Sequence, residues 1–126
     1  MVKERYSVDR KPKVLIGKDG SKNWFLGQKL HRINGPAVEH TDGSQEWWIN
    51  GKRHRLDGPA IIWNNGNKEW FLNNKAHRNN GPAKEINDTK LWCKYGLIHR
   101  MDGPAVIRTD GTKEWYLYGK KYTKEQ

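Results

Sequence analysis

One spacing constrains this chain more than any other feature. The heptapeptide His-Arg-x-(Asn/Asp)-Gly-Pro-Ala starts at His31, His54, His77 and His99, at intervals of 23, 23 and 22 residues. A tryptophan keeps the same beat at Trp24, Trp47, Trp70, Trp92 and Trp115. Two independent markers in one register define an internal repeat. A repeat of this length is one supersecondary unit, which buries its apolar face only against its neighbours. The chain therefore reads as about five stacked copies of one small unit.

Turn chemistry says what the unit is. Asp19-Gly20, Asp42-Gly43, Asn65-Gly66 and Asp110-Gly111 stand between apolar-rich runs. Asn-Gly and Asp-Gly predict tight hairpins in which both central residues take positive φ. A second turn falls at Asn50-Gly51, Asn73-Asn74, Tyr95-Gly96 and Tyr118-Gly119. A third falls at Asn34-Gly35, Asp57-Gly58, Asn80-Gly81 and Asp102-Gly103, each followed by a proline that can open a strand. A turn about every eight residues leaves no room for a helix. The expectation is an all-β meander or solenoid sheet of antiparallel hairpins. Residues 10–122 form one domain with a degenerate first unit, between tails at 1–9 and 123–126. The fourth unit is one residue short and carries Asn87-Asp88-Thr89 in place of Asp-Gly, which predicts a distorted hairpin.

Alternate residues of a strand face opposite ways. One face of the Trp-centred strand carries Trp24/Leu26, Trp47/Ile49, Trp70/Leu72 and Trp115/Leu117; the other carries Phe25, Trp48, Phe71 and Tyr116. The first ladder is the more regular and is expected in the core. The second, if exposed, is an aromatic strip of the kind that marks an interface or ligand site. The other arrangement buries both. Cys93 and Lys94 interrupt both ladders in the fourth unit, where the array bends or a partner docks.

The formal net charge of +10 favours an anionic partner: nucleic acid, a nucleotide, an acidic protein or a lipid headgroup. With a single cysteine, Cys93, no intrachain disulfide forms. No signal peptide opens the chain and no run is long enough to span a membrane, so a soluble cytoplasmic protein is expected. Equivalent histidines two or three strands apart stand ~10–15 Å from one another, too far to share one zinc ion. No metal, cofactor or catalytic residue is therefore expected; phosphate-loop, zincin and nucleophile-elbow motifs are lacking. The candidate ligand-binding residues are Arg32, Arg55, Arg78 and Arg100, which grip phosphate or carboxylate in bidentate fashion, with His31, His54, His77 and His99 before them. Trp48, Phe71 and Tyr116 would supply stacking area. The competing reading pairs each Arg locally, with the Asn or Asp two residues on or with Glu46, Glu69 or Glu114.

The run Trp47-Trp48-Ile49-Asn50-Gly51-Lys52-Arg53-His54 through Asn65-Gly66 resembles a MORN repeat, and the likeness covers about residues 10–122. MORN units usually place Gly after the His, where this chain has Arg32, Arg55, Arg78 and Arg100; Gly-Pro-Ala is also outside the usual pattern. The chain is more similar to the His-Arg-x-Asp-Gly-Pro-Ala variant of phage, giant-virus and some bacterial proteins. The resemblance implies a single-layer or slightly rolled sheet in a scaffold or binder, sometimes linked to phospholipid and often to dimerisation, with no catalytic role. Together these readings predict a non-catalytic binding protein, a phage-encoded anti-defence factor acting in the host cytoplasm. It would sequester or block an anionic target: a nucleotide second messenger, nucleic acid or an acidic host protein. The alternatives are a scaffold that self-associates into a homo-oligomer and a phosphodiester hydrolase.

Overall fold

A computed structural model describes residues 11–123. Apart from Thr123, the expected tails lie outside the described residues, as does Arg10. Among the described residues there is no helix, and hence none long and apolar enough to cross a membrane. All strand pairs are antiparallel, as expected from the spacing of turns.

The main sheet has 12 strands and runs in chain order as a meander, from Lys13–Ile16 at one end to Lys120–Tyr122 at the other. Its strands are short in the middle of the array, where a corner interrupts the second, third and fourth units at Trp47, Trp70 and Trp92; in the first and fifth units the strands Lys22–Leu26 and Lys113–Leu117 run through the tryptophan unbroken. In the second unit Gln45–Glu46 pairs in the main sheet, Trp47 turns the chain, and Trp48–Ile49 continues into a side hairpin with Lys52–Arg53. Phe71–Leu72 with Lys75–Ala76 and Cys93–Lys94 with Leu97–Ile98 repeat that hairpin. Isolated backbone bonds join successive side hairpins: Arg55 N–H donates to Phe71 O and Asn74 N–H to Arg53 O. Each of these three units thus has two arms that meet at its tryptophan.

The alanine of Gly-Pro-Ala stands at the corner. Ala37, Ala60, Ala83 and Ala105 are completely buried. Ala60 N–H donates to Glu69 O at 2.8 Å, while Ala60 O accepts Trp47 N–H at 2.7 Å. A residue bonded on both sides between two strands has room for a methyl group and little more.

The two turn classes differ from each other. At Asp19-Gly20, Asp42-Gly43, Asn65-Gly66 and Asp110-Gly111 only the glycine has positive φ, contrary to the sequence expectation. Gly43 N–H donates to His40 O, and His40 N–H to Ser44 O. This is a three-residue loop, a type I turn closed by a left-handed glycine. The aspartate is favoured because Asp42 Oδ1 accepts Ser44 N–H at 2.8 Å. The second turns, Asn50-Gly51 among them, do have positive φ at both residues. So does Asn87-Asp88, with φ of 50° and 66°, between the paired Ile86 and Thr89. The fourth unit's hairpin is therefore not distorted. It has a regular two-residue loop where its neighbours have three, which accounts for the interval of 22.

The tertiary fold reverses the expected core. Ile61 and Trp63 of the main sheet pack with Phe71 and Ala76 of the side hairpin, and Trp47 packs against the same cluster from the corner. Lys84 Nζ lies 5.6 Å from the Phe71 ring, and Arg53 Nε reaches Glu46 at 3.9 Å. The side with Phe25, Trp48, Phe71, Cys93 and Tyr116 is thus the inner one, where the two arms face each other. Phe71 is 7% exposed and Cys93 4%. The Trp24/Leu26, Trp47/Ile49, Trp70/Leu72 and Trp115/Leu117 side is the outer one. Alternation supplies two aromatic faces, and only the fold across the tryptophan corner selects between them.

Candidate functional site

The four His-Arg loops make the same contacts. Each arginine lies flat on the tryptophan of its own unit: the guanidinium carbons of Arg32, Arg55, Arg78 and Arg100 are 3.9, 3.8, 3.8 and 4.0 Å from the rings of Trp24, Trp47, Trp70 and Trp92. One guanidinium nitrogen donates to the proline carbonyl four residues on, at 3.0–3.2 Å in every copy. Arg55 and Arg100 also bond Asp57 and Asp102. The glycine before each proline makes room for this. A Cβ on Gly58 would stand 2.9 Å from the Arg55 guanidinium carbon, and one on Gly103 2.8 Å from that of Arg100. The local-pairing reading accounts for most of what these arginines do. Side chains of Arg32, Arg55 and Arg100 nonetheless keep 29%, 23% and 23% exposure on the outer side.

The histidines join one unit to the next. His31, His54, His77 and His99 are buried. Each Nδ1 accepts the backbone N–H of the next unit's second turn, from Asn50, Asn73, Tyr95 and Tyr118 at 2.9–3.0 Å. A backbone amide can only donate, so Nδ1 must be unprotonated and the ring proton resides on Nε2. Burial holds His31 below its usual pKa. Burial does the same at His77, helped by the Lys94 charge and opposed by the Asn79 hydrogen bond. Among the described residues no group of three or more His, Cys, Asp and Glu is placed to hold a metal ion.

The proposed stacking residues are not beside the arginine row. Trp48, Phe71 and Tyr116 lie on the inner side, next to half-buried carboxylates. Trp48 Nε1 and Tyr116 Oη donate to Glu46 and Glu114. Glu114 also accepts from Arg108 and Lys121 at 3.0 Å each, which lowers its pKa to about 2. Arg53 lies 5.1 Å from the Trp48 ring and 5.6 Å from that of Phe71. On this side cations and acids neutralise each other.

The outer side is richer in lysine. Register places Lys22, Lys68, Lys90 and Lys113 there, on the tryptophan side of the main sheet, with Glu39 opposite Lys22 and Glu85 opposite both Lys68 and Lys90. Lys52 and Lys75 face the same way from the side hairpins. The arginine row runs between these two rows of lysines. Between the third and fourth loops the outer side opens into a groove of about 460 Å³, lined by Arg78, Trp92, Lys94, His99, Arg100 and Asp102 among others. Two departures from the repeat meet here. Lys94 stands where the other units have Leu26, Ile49, Leu72 and Leu117, and Asn79 stands where the other loops have Ile33, Leu56 and Met101. Lys94 Nζ bonds Asn79 Oδ1 at 2.9 Å, which holds the ammonium at the groove. The groove thus joins Arg78, Arg100 and His99 of the expected site with Lys94, which the sequence reading noted only as a break in a ladder. The available signal was a lysine in an aliphatic row together with a polar Asn79 where the other loops have an apolar residue. No family model, no curated protein and no solved structure matches this chain.

Proposed function

We propose that this protein is a non-catalytic binder of a compact anion, a phosphoryl group first of all, held in the groove between Arg78 and Arg100. The observation that carries this reading is Lys94. An ammonium in an otherwise aliphatic row brings a third cation to two guanidiniums, against Asp102 as the lining carboxylate. Charge-assisted bonds from Arg and Lys to phosphate are the strong class of hydrogen bond. The Trp92 face is already covered by Arg100, so recognition here is of charge rather than of a stacked base. A nucleotide fits as a phosphate donor whose base lies outside the groove.

Binding rather than catalysis is supported by how the reactive groups are used. His99 Nδ1 is committed to the Tyr118 amide. The Cys93 thiol is buried on the inner side, and burial pushes its pKa up, away from the nucleophilic thiolate. The MORN likeness rests on the Trp47–His54 run with Asn65-Gly66, and the phage anti-defence role on the heptapeptide variant; both remain part of the proposal.

Isothermal titration with inorganic phosphate, pyrophosphate and cyclic dinucleotides tests the reading, together with thermal melts in each. A ligand at a hundred times its Kd stabilises the fold by about 2.7 kcal/mol. Lys94→Leu restores the residue of the first and third units and should leave the fold intact while weakening binding about tenfold or more, a charge-assisted bond's worth. Arg78→Gln should weaken binding likewise, and because it also removes the clasp on Trp70 and Pro82 O its melting temperature is measured beside its affinity. Equal affinity in both variants, or no response to any of these anions, rejects the groove as the site.

A further inference from the structure

The second turns of the last two units hold residues that the turn itself does not call for. In the second and third units this position is Asn50 and Asn73, and asparagine tolerates the left-handed region. In the fourth and fifth it is Tyr95 and Tyr118, each at φ 47°, a conformation a bulky side chain adopts only when the surroundings impose it. Both residues are 65% exposed. Each is laid against the buried histidine that accepts its amide: the His77–Tyr95 and His99–Tyr118 centroids are 4.1 and 3.9 Å apart.

A third departure links them. The position after the second turn is Lys29, Lys52, Lys75 and Lys120 in four units and Leu97 in one. Lys29 and Lys75 lay their stems against Gly51 and Gly96 of the next turn, and Leu97 does the same against Gly119. Leu97 therefore spans from the Tyr95 turn to the Tyr118 turn, and it is 48% exposed. Lysine stems elsewhere do this job with a solvated end, so an aliphatic residue here leaves apolar surface in water.

We propose that Tyr95, Leu97 and Tyr118 form a docking surface for an acidic protein segment that carries apolar side chains. Tyrosine is enriched among residues that dominate protein interfaces, because it combines wide apolar area with a polar tip. Lys75 and Lys120 border the patch and select for acidic residues around the buried contact. A second copy of this chain is disfavoured by its own charge of +10. A nucleic-acid strand is disfavoured because each ring already has one face on an imidazole and Leu97 lies between the two turns.

The design of the test follows from the repeat itself. Tyr95→Asn, Leu97→Lys and Tyr118→Asn each install the residue that other units carry at that position, so the triple variant should fold at least as well as the parent. The probes are a random Glu/Tyr copolymer, poly-Glu of equal length and oligo-dT, measured by fluorescence anisotropy at 150 mM salt. The parent should bind the Glu/Tyr copolymer about tenfold more tightly than poly-Glu, and the triple variant should lose that preference. If the triple variant melts early, Tyr95→Asn and Tyr118→Asn are measured singly, and each should lose part of the preference. No preference in the parent, or one kept in the variants, overturns the proposal. So does a loss of oligo-dT binding that matches the loss for the copolymer. Leu97 pairs with Lys94 across the hairpin, so the control is the Tyr95→Asn/Tyr118→Asn double variant: its phosphate titration should be unchanged, and Arg78→Gln should keep the copolymer preference, so the groove and the docking surface fail separately.

Discussion

The guanidinium of Arg55 lies 3.8 Å above the indole of Trp47 and donates to Pro59 O at 3.0 Å. The loop that connects two units is thereby fastened onto the corner of the first. The same clasp recurs in the other three copies. It explains why the heptapeptide couples Arg to Gly-Pro: the flat guanidinium needs a ring beneath it, a carbonyl beside it and no Cβ above it.

Gly58→Ala should therefore destabilise the fold by about 1–3 kcal/mol, as overfilled sites do. The cause is contact, since Gly58 is not among the positive-φ glycines. Denaturant titration of Gly58→Ala, Arg55→Ala and the double variant checks this. The second substitution should cost little once the first is made. Additive losses would show that the glycine and the arginine act separately.

Arg55→Lys should cost about 1 kcal/mol, because an ammonium neither stacks on the indole nor forks between Pro59 and Asp57. Equal stability of parent and variant in urea would argue against the clasp.

Stability should fall in mild acid. His31 and His77 are held below their usual pKa, so the unfolded chain takes up protons at these rings before the folded one does. The stability contributed by the neutral rings is complete above pH ~6.5 and is lost as pH falls from there toward their folded values. Protonation would also set an Nδ1–H against the Asn50 or Tyr95 amide. Urea midpoints from pH 8 to 5 should drop in the parent and drop less in His77→Gln. A flat profile over that range would contradict the assigned tautomer. Glu114, with a pKa of about 2, adds a separate loss that begins only below its unfolded value of ~4.5.

Asp88→Gly should stabilise the protein by up to about 1 kcal/mol, by relieving a left-handed residue in the two-residue loop. Adding a residue to that loop to restore the three-residue form should be tolerated, since only the hairpin tip changes. Thermal melts of both variants decide the point.

Ala60→Leu should cost about 3 kcal/mol or prevent folding, because both of its backbone groups are bonded between strands and its side chain is wholly buried. A variant as stable as the parent would mean that the corner is looser than its bonds imply.

Much of the site was readable as residues but not as a surface. Arg78, Arg100 and His99 were expected in a binding site and do line the groove. Trp48, Phe71 and Tyr116 were expected beside them and lie on the opposite side. Lys94 went unrecognised because a break in a periodic row says nothing by itself about what it faces. Tyr95 and Tyr118 were legible only as turn residues, since neither their exposure nor their contact with His77 and His99 is a local property.

From the order of residues alone follow the period, the absence of room for helices, the antiparallel meander and the position of nearly every turn. All of these depend on interactions within a few residues or between identical neighbours. The tertiary structure alone decided which aromatic row is inside, that the arginines clasp tryptophans, and that the histidines join successive units. The physical reason is that a pleated strand offers two faces of equal standing. The choice between them is made where the chain bends at tryptophan and the two arms come together.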